Sequence, residues 1–280
     1  MNRLSRSLAA TALAAAALTG CSFSSRAPAP PAKAAVLADP PADHPLRAEI
    51  LRGRAILEAT RDSLPAQVGN DLRCTSCHLD GGNTEVLGWV GVYGKFPQYR
   101  SRGDAIQTLE DRVNDCLERS MNGRRMPADT APMKAILAYF AWISKDRPVS
   151  GALAGGGITA PFDGLVPDSA RGAGLYAGNC LRCHGPAGEG IAGSGTPLWG
   201  PRSFNIGAGM ARYRTAAAFI HANMPRDLPG TLSRQDALDL AAFIDSRPRP
   251  DFAGKSKDWP RGGAPADTPY RTDGPGQHTP

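Results

Sequence analysis

Two short segments of the chain carry the same chemistry, Cys74-Thr75-Ser76-Cys77-His78 and Cys180-Leu181-Arg182-Cys183-His184. Two thiols three positions apart on a helical turn can meet the two vinyl groups of one haem, and the adjoining histidine then aims its imidazole at the iron. One match is weak, but two in a chain with an export signal predict covalent c-type haems. Cys74, Cys77, Cys180 and Cys183 would anchor them, with His78 and His184 as iron ligands. Disulfides or a redox C-x-x-C pair are the competing readings. A zinc site would need further paired ligands at suitable spacing, and the sequence has none.

The six cysteines leave two to explain, Cys21 and Cys116. Residues 1–20 read as a basic start (Arg3, Arg6) and an apolar run from Leu8 to Leu18, too short to span a bilayer and therefore a processed signal. Leu18-Thr19-Gly20-Cys21 is similar to the lipobox of bacterial lipoproteins, which makes Cys21 the expected acylated first residue of the mature chain. Residues 21–44, rich in Ala and Pro, then read as a tether that holds the folded part off the periplasmic side of a membrane. Cys116 is left as a lone thiol in an oxidising compartment, where an idle thiol is a liability.

Several elements must position these groups. Apolar spacing predicts helices over 48–60 and 132–144 around the first motif, and over 171–179 and 234–245 around the second, with Ser233 and Asp236 as a capping pair. Each unit thus reads as helix, haem, loop, helix. The fold class is all-α: two tandem class I cytochrome c domains at 45–147 and 168–250. A Gly-rich linker (148–167) separates them, and the Pro/Gly-rich tail (251–280) is expected to wrap the second unit or lie free. Few strands are expected. The formal charge of +6, or +4 without Arg3 and Arg6, is too mild to carry nucleic-acid binding, so any attraction for anions must be local.

Each iron needs a sixth ligand. In the second unit Met224, followed by Pro225, is the simplest choice, with Met210 as rival; His221, one turn before Met224, reads as a surface or packing residue. A thioether ligand favours the reduced haem and makes an electron-accepting site. In the first unit Met126-Pro127 mimics Met224-Pro225, but Cys116 competes. The stretch 102–121 places Ile106, Leu109, Val113, Cys116, Leu117 and Met121 on one face of an amphipathic helix, so Cys116 points inward. Free cysteines are commonly buried as small hydrophobes. Here Arg112 and Ser120 lie one turn away on either side, and a cation beside an iron should make the thiol a thiolate.

Residues 74–83, Phe96-Pro97-Gln98-Tyr99, Arg112-Val113-Asn114-Asp115-Cys116, Arg119-Ser120-Met121-Asn122-Gly123 and Asn223-Met224-Pro225 together resemble the dihaem thiosulfate dehydrogenases, relatives of the SoxA cytochromes of sulfur oxidation. The likeness spans 46–270. It implies His78 and Cys116 on the first haem, His184 and Met224 on the second, and Arg102, Arg112 and Ser120 around a substrate pocket at Cys116. It also implies an enzyme that joins two thiosulfates into tetrathionate and passes electrons to an external cytochrome. Some members carry a lysine just before the ligand methionine; here that position is Asn223. The competing reading is a lipid-tethered dihaem electron carrier with Met126 on the first iron. Expectation from the signal: Cys21→Ser moves the exported chain from the membrane to the soluble fraction; an unchanged membrane fraction and no acyl mass on Cys21 in the parent would overturn the lipobox reading.

Overall fold

The computed structural model describes residues 37–84, 86–149 and 162–276. Cys21, the signal and most of the tether lie outside the described residues, as does much of the linker.

In the first unit α1 (Arg47–Glu58) is followed by a single turn, α2 (Thr60–Ser63). The first C-x-x-C-H motif begins as a 3-10 turn over Cys74–Ser76 and runs into α3 (Leu79–Gly82), an irregular turn in which Asp80 and Gly81 take positive φ. A hairpin of β1 (Gln98–Arg100) and β2 (Ala105–Gln107) leads to α4 (Leu109–Arg119), and α5 (Ala131–Ser144) closes the unit. In the second unit α6 (Ser169–Asn179) passes through Cys180 directly into α7 (Leu181–His184), and α8 (Tyr213–Asn223) and α9 (Arg234–Asp245) complete the shell.

The packing is duplicated. α1 crosses α5 in one unit as α6 crosses α9 in the other, and α8 also lies on α9. Each crossing requires a glycine: a Cβ at Gly53 would collide with the Ala135 carbonyl, and one at Gly172 with the Asp239 carbonyl. After each haem motif a left-handed glycine, Gly82 or Gly188, lets a tryptophan, Trp89 or Trp199, close over the backbone. A tyrosine hydroxyl then pins the motif's following loop, Tyr139 to the Gly81 carbonyl at 2.8 Å and Tyr176 to the Gly185 carbonyl at 2.6 Å.

The expected flanking helices are present within about two residues, and the Ser233–Asp236 capping box closes as expected. The 102–121 helix is corrected. It starts at Leu109, because Thr108 caps it through a reciprocal box with Asp111, while the residues before it belong to the hairpin. Ile106 therefore sits on a strand, 74% exposed, rather than on the buried helix face. The tail touches the second unit, where the Arg214 backbone N–H donates to Asp267 at 3.0 Å, and also reaches the first, with the Trp259 backbone N–H donating to the Arg102 carbonyl at 2.8 Å and Arg261 paired to Asp104 at 2.8 Å.

The units dock at the C-terminal end of α4, where helical carbonyls lack intrahelical partners. The Asn205 side chain donates to the Glu118 carbonyl at 2.9 Å and its backbone N–H to the Arg119 carbonyl at 3.2 Å. The Asn70 amide donates to the Ser120 and Ser203 carbonyls at 2.8 and 3.2 Å, and Phe204 is buried in the first unit's core.

The glycines supply a stability test. Gly53→Ala should cost about 1–3 kcal/mol from overpacking. Gly174→Ala, in the interior of α6 with open space where its Cβ would lie, should stabilise by about 0.5–1 kcal/mol. Denaturant melts of fully haem-loaded protein check both; equal effects would mean that the α1–α5 crossing is looser than described.

Candidate functional site

The Thr108–Asp111 box fixes the first turn of α4, and four-residue spacing then sends Arg112, Cys116 and Ser120 to the same face. That face lines a cavity of about 420 Å3. Cys74, Cys77 and His78 line the same cavity, and Leu57, Val92, Phe96, Leu117, Ile136 and Phe140 supply apolar wall. Phe204 and Met210 bring the second unit into the lining.

The histidines are set up as ligands. His78 Nδ1 lies 2.6 Å from the Leu87 carbonyl, and His184 Nδ1 lies 2.7 Å from the Thr196 carbonyl. An imidazole that gives its Nδ1 proton to a carbonyl keeps the Nε2 lone pair for a metal. Burial pushes His78 down to about 4 and lowers His184 too, which favours the neutral rings that ligation requires. Trp89 stacks on His78 at 4.5 Å between centroids and restricts its ring. Burial also raises the thiols, Cys74 and Cys77 to about 12 and Cys180 to about 11. No disulfide joins the cysteines among the described residues. An apolar slot with two unlinked thiols and an oriented imidazole fits a covalently attached haem.

Across this slot Arg112 Nη1 donates to Cys116 Sγ at 3.0 Å. The neighbouring sulfur raises the guanidinium's pKa more than burial lowers it. Met126, the rival in sequence, does not line the cavity. It is 3% exposed in the core, and Asn114 clamps its backbone, with the Met126 N–H donating to Oδ1 at 2.7 Å and the carbonyl accepting from Nδ2 at 3.0 Å.

In the second unit Cys180 and Met224 pack against the same core as Leu198 and Trp199. Met210 packs against both cores and lines the first unit's cavity, so the two candidate methionines face different surroundings. His221 Nδ1 lies 2.9 Å from the Leu232 carbonyl.

Among the predicted pocket residues, Arg102 lines the cavity but is already engaged. Its Nε meets Asp258 at 3.0 Å and its Nη2 donates to the Tyr270 hydroxyl at 2.6 Å. The sequence reading missed Arg100 and Arg212. Arg100 shares the inward face of the hairpin with Gln98 and Gln107, and the alternation of inward Arg100 with exposed Tyr99 was the available signal. Arg100 forms no ion pair among the described residues; burial, then Arg112 and Arg102, lower its pKa. Arg212 lines the cavity from the second unit with its Nε buried and unpartnered, its pKa lowered by burial.

Residues 66–149 match the family model described as SoxA/TsdA, cytochrome c domain, and residues 167–244 match that of Cytochrome C oxidase, cbb3-type, subunit III. The chain is 40% identical over 231 residues to the thiosulfate dehydrogenase of Psychrobacter arcticus, covering 80% of this chain and 71% of that protein. It is 43% identical over 220 residues to the thiosulfate dehydrogenase of Allochromatium vinosum, covering 75% and 82%. A solved structure of thiosulfate dehydrogenase (TsdBA) from Marichromatium purpuratum in its "as isolated" form aligns with TM-score 0.68 and 35% identity. That alignment covers 76% of this chain and 49% of the other, so this chain spans about half of that polypeptide. The two cytochrome c domains carry two covalently bound c-type haems.

The haem count can be read by mass. The denatured parent should retain two haems, and Cys74→Ala/Cys77→Ala and Cys180→Ala/Cys183→Ala should each remove one; a pair that removes none would displace that attachment site.

Proposed function

Because the chain belongs to the thiosulfate dehydrogenase family of dihaem c-type cytochromes, we propose that it joins two thiosulfates into tetrathionate and passes two electrons to an external cytochrome. His78 and Cys116 would hold the first iron, His184 and Met224 the second, and Cys74, Cys77, Cys180 and Cys183 the porphyrins. Bound there, the haems supply two one-electron acceptors.

The observation that carries this reading is the Arg112–Cys116 contact in the cavity wall. Joining the outer sulfurs of two thiosulfates forms one S–S bond and releases two electrons, with no proton to place. The obstacle is charge. Two dianions at contact repel by roughly 4 kcal/mol even at the dielectric of water, and by more in a cavity. Arg112 offers sulfonate oxygens a planar donor fork beside the sulfur, and Ser120 adds a hydroxyl from one turn further. Arg102 and Arg100 extend the same positive wall, and each charge-assisted bond contributes about 1.5–3 kcal/mol towards offsetting the repulsion. Nothing in this arrangement fixes a direction, so the same wall would hold tetrathionate for reduction when the partner's potential favours it. A pure electron carrier needs none of these cations, and its ligand candidate Met126 lies off the cavity. The Ala/Pro tether and Cys21 support a lipid anchor on the periplasmic side.

Turnover with thiosulfate and an artificial acceptor tests the reading. Cys116→Ala and Arg112→Ala should keep both haems and lose nearly all activity, Cys116→Ala also losing the absorption of thiolate-ligated haem, which Met126→Leu should keep. Normal turnover in Cys116→Ala would sink the assignment.

A further inference from the structure

The tail brings one buried carboxylate to the cation-rich wall of the site. Asp258 is 3% exposed and receives Arg102 Nε at 3.0 Å and both terminal nitrogens of Arg119 at 2.8 and 2.7 Å. Tyr270 completes the cluster, its hydroxyl donating to Asp258 at 2.5 Å while accepting from Arg102 Nη2 at 2.6 Å. A phenol has one proton and oxygen lone pairs, so both bonds are met at once. Trp259 lies against the Arg102 guanidinium, 4.6 Å from ring centroid to Cζ, and its backbone N–H donates to the Arg102 carbonyl.

We infer that Asp258 and Tyr270 are positioning residues for the anion site: they fix the Arg102 guanidinium so that its remaining edge faces the cavity as a preset donor for a sulfur oxyanion. An arginine on a short turn after a hairpin strand has several rotatable bonds, and ordering it at the moment of binding would cost affinity. Here Nε and Nη2 are occupied and the ring covers a face. Arg119, by contrast, gives both terminal nitrogens to the same carboxylate and serves to seat that carboxylate. The tail thereby backs the cavity wall from behind, through Arg102 and Arg119, which line it.

A charge argument makes the sign of the effect decisive. Asp258→Asn adds one unit of positive charge to a wall that attracts dianions, so a carboxylate that only tempered the local field would, when removed, lower KM. Positioning requires the reverse. This inference rests on thiosulfate being the substrate and on Arg102 touching it. With the full-length, two-haem protein, Asp258→Asn should raise KM for thiosulfate about tenfold, the loss of one charge-assisted bond's worth of order. Tyr270→Phe should raise it about threefold, while kcat falls less than KM rises and the haem spectra stay unchanged. Asp258→Glu should recover part of the loss. Arg261→Gln, which loosens the same tail at an exposed ion pair with Asp104 rather than at the Arg102 guanidinium, should leave KM unchanged. A lower or unaltered KM in Asp258→Asn, or an equal rise in Arg261→Gln, would overturn the inference. A parent that does not turn over thiosulfate would instead overturn the functional reading beneath it.

Discussion

The contact between Arg112 and Cys116 is the constraint around which the first unit is built. A guanidinium in an apolar cavity is expensive unless an anionic or strongly polarisable partner stands within hydrogen-bond reach. The sulfur at 3.0 Å supplies that partner and raises the guanidinium's pKa more than burial lowers it. The pair holds only if one helix keeps both side chains on the cavity face. The capping box at Thr108 fixes where that helix begins. At its other end the carbonyls of Glu118, Arg119 and Ser120 find amide donors from Asn205 and Asn70, so the docking of the second unit helps to define where it stops.

Duplication explains much of the remaining architecture. Both units use a glycine at the helix crossing, a left-handed glycine under a tryptophan, a tyrosine on the loop behind the motif and a carbonyl on Nδ1 of the histidine. These devices serve the shared task of seating a haem edge and orienting one ligand. The halves diverge on the opposite face. The first inserts a hairpin and α4, which carry arginines and a thiol into the cavity; the second offers α8 and the thioether of Met224 in a small-residue, apolar setting. The cavity face of the first unit is thus charged, while the surroundings of Met224 are apolar.

The elements that could be read from the sequence are those whose rule is local. The C-x-x-C-H motifs, the helix periods and the Ser233 cap depend on neighbours within four residues, and they stand where expected. The placement of Cys116 and Arg112 was legible for the same reason, since their separation is one helical turn. The hairpin was not, because Ile106 fits the apolar period of α4 and only the reciprocal cap at Thr108 decides that the helix begins after it. Arg100 went unnoticed with the hairpin. The tail's reach to the first unit was missed because it lies in three side chains, Asp258, Trp259 and Tyr270, whose partner Arg102 is more than a hundred residues away. A pairing at that distance leaves no periodic trace.

The distribution of charge around the cavity also bears on why the two units are fastened rather than linked loosely. Arg212 comes from the second unit and Arg100 from the first; neither forms an ion pair among the described residues, and burial lowers the pKa of both more than the nearby Asp267 and Asp115 raise it. Bringing desolvated cations together disfavours docking, so other contacts must offset the repulsion. Phe204 buried in the first core, Met210 shared by both cores and the asparagine bonds at the end of α4 are the contacts placed to do so. Docking therefore completes a cation-bearing wall that neither unit forms alone, with Arg100, Arg102 and Arg112 from the first and Arg212 from the second.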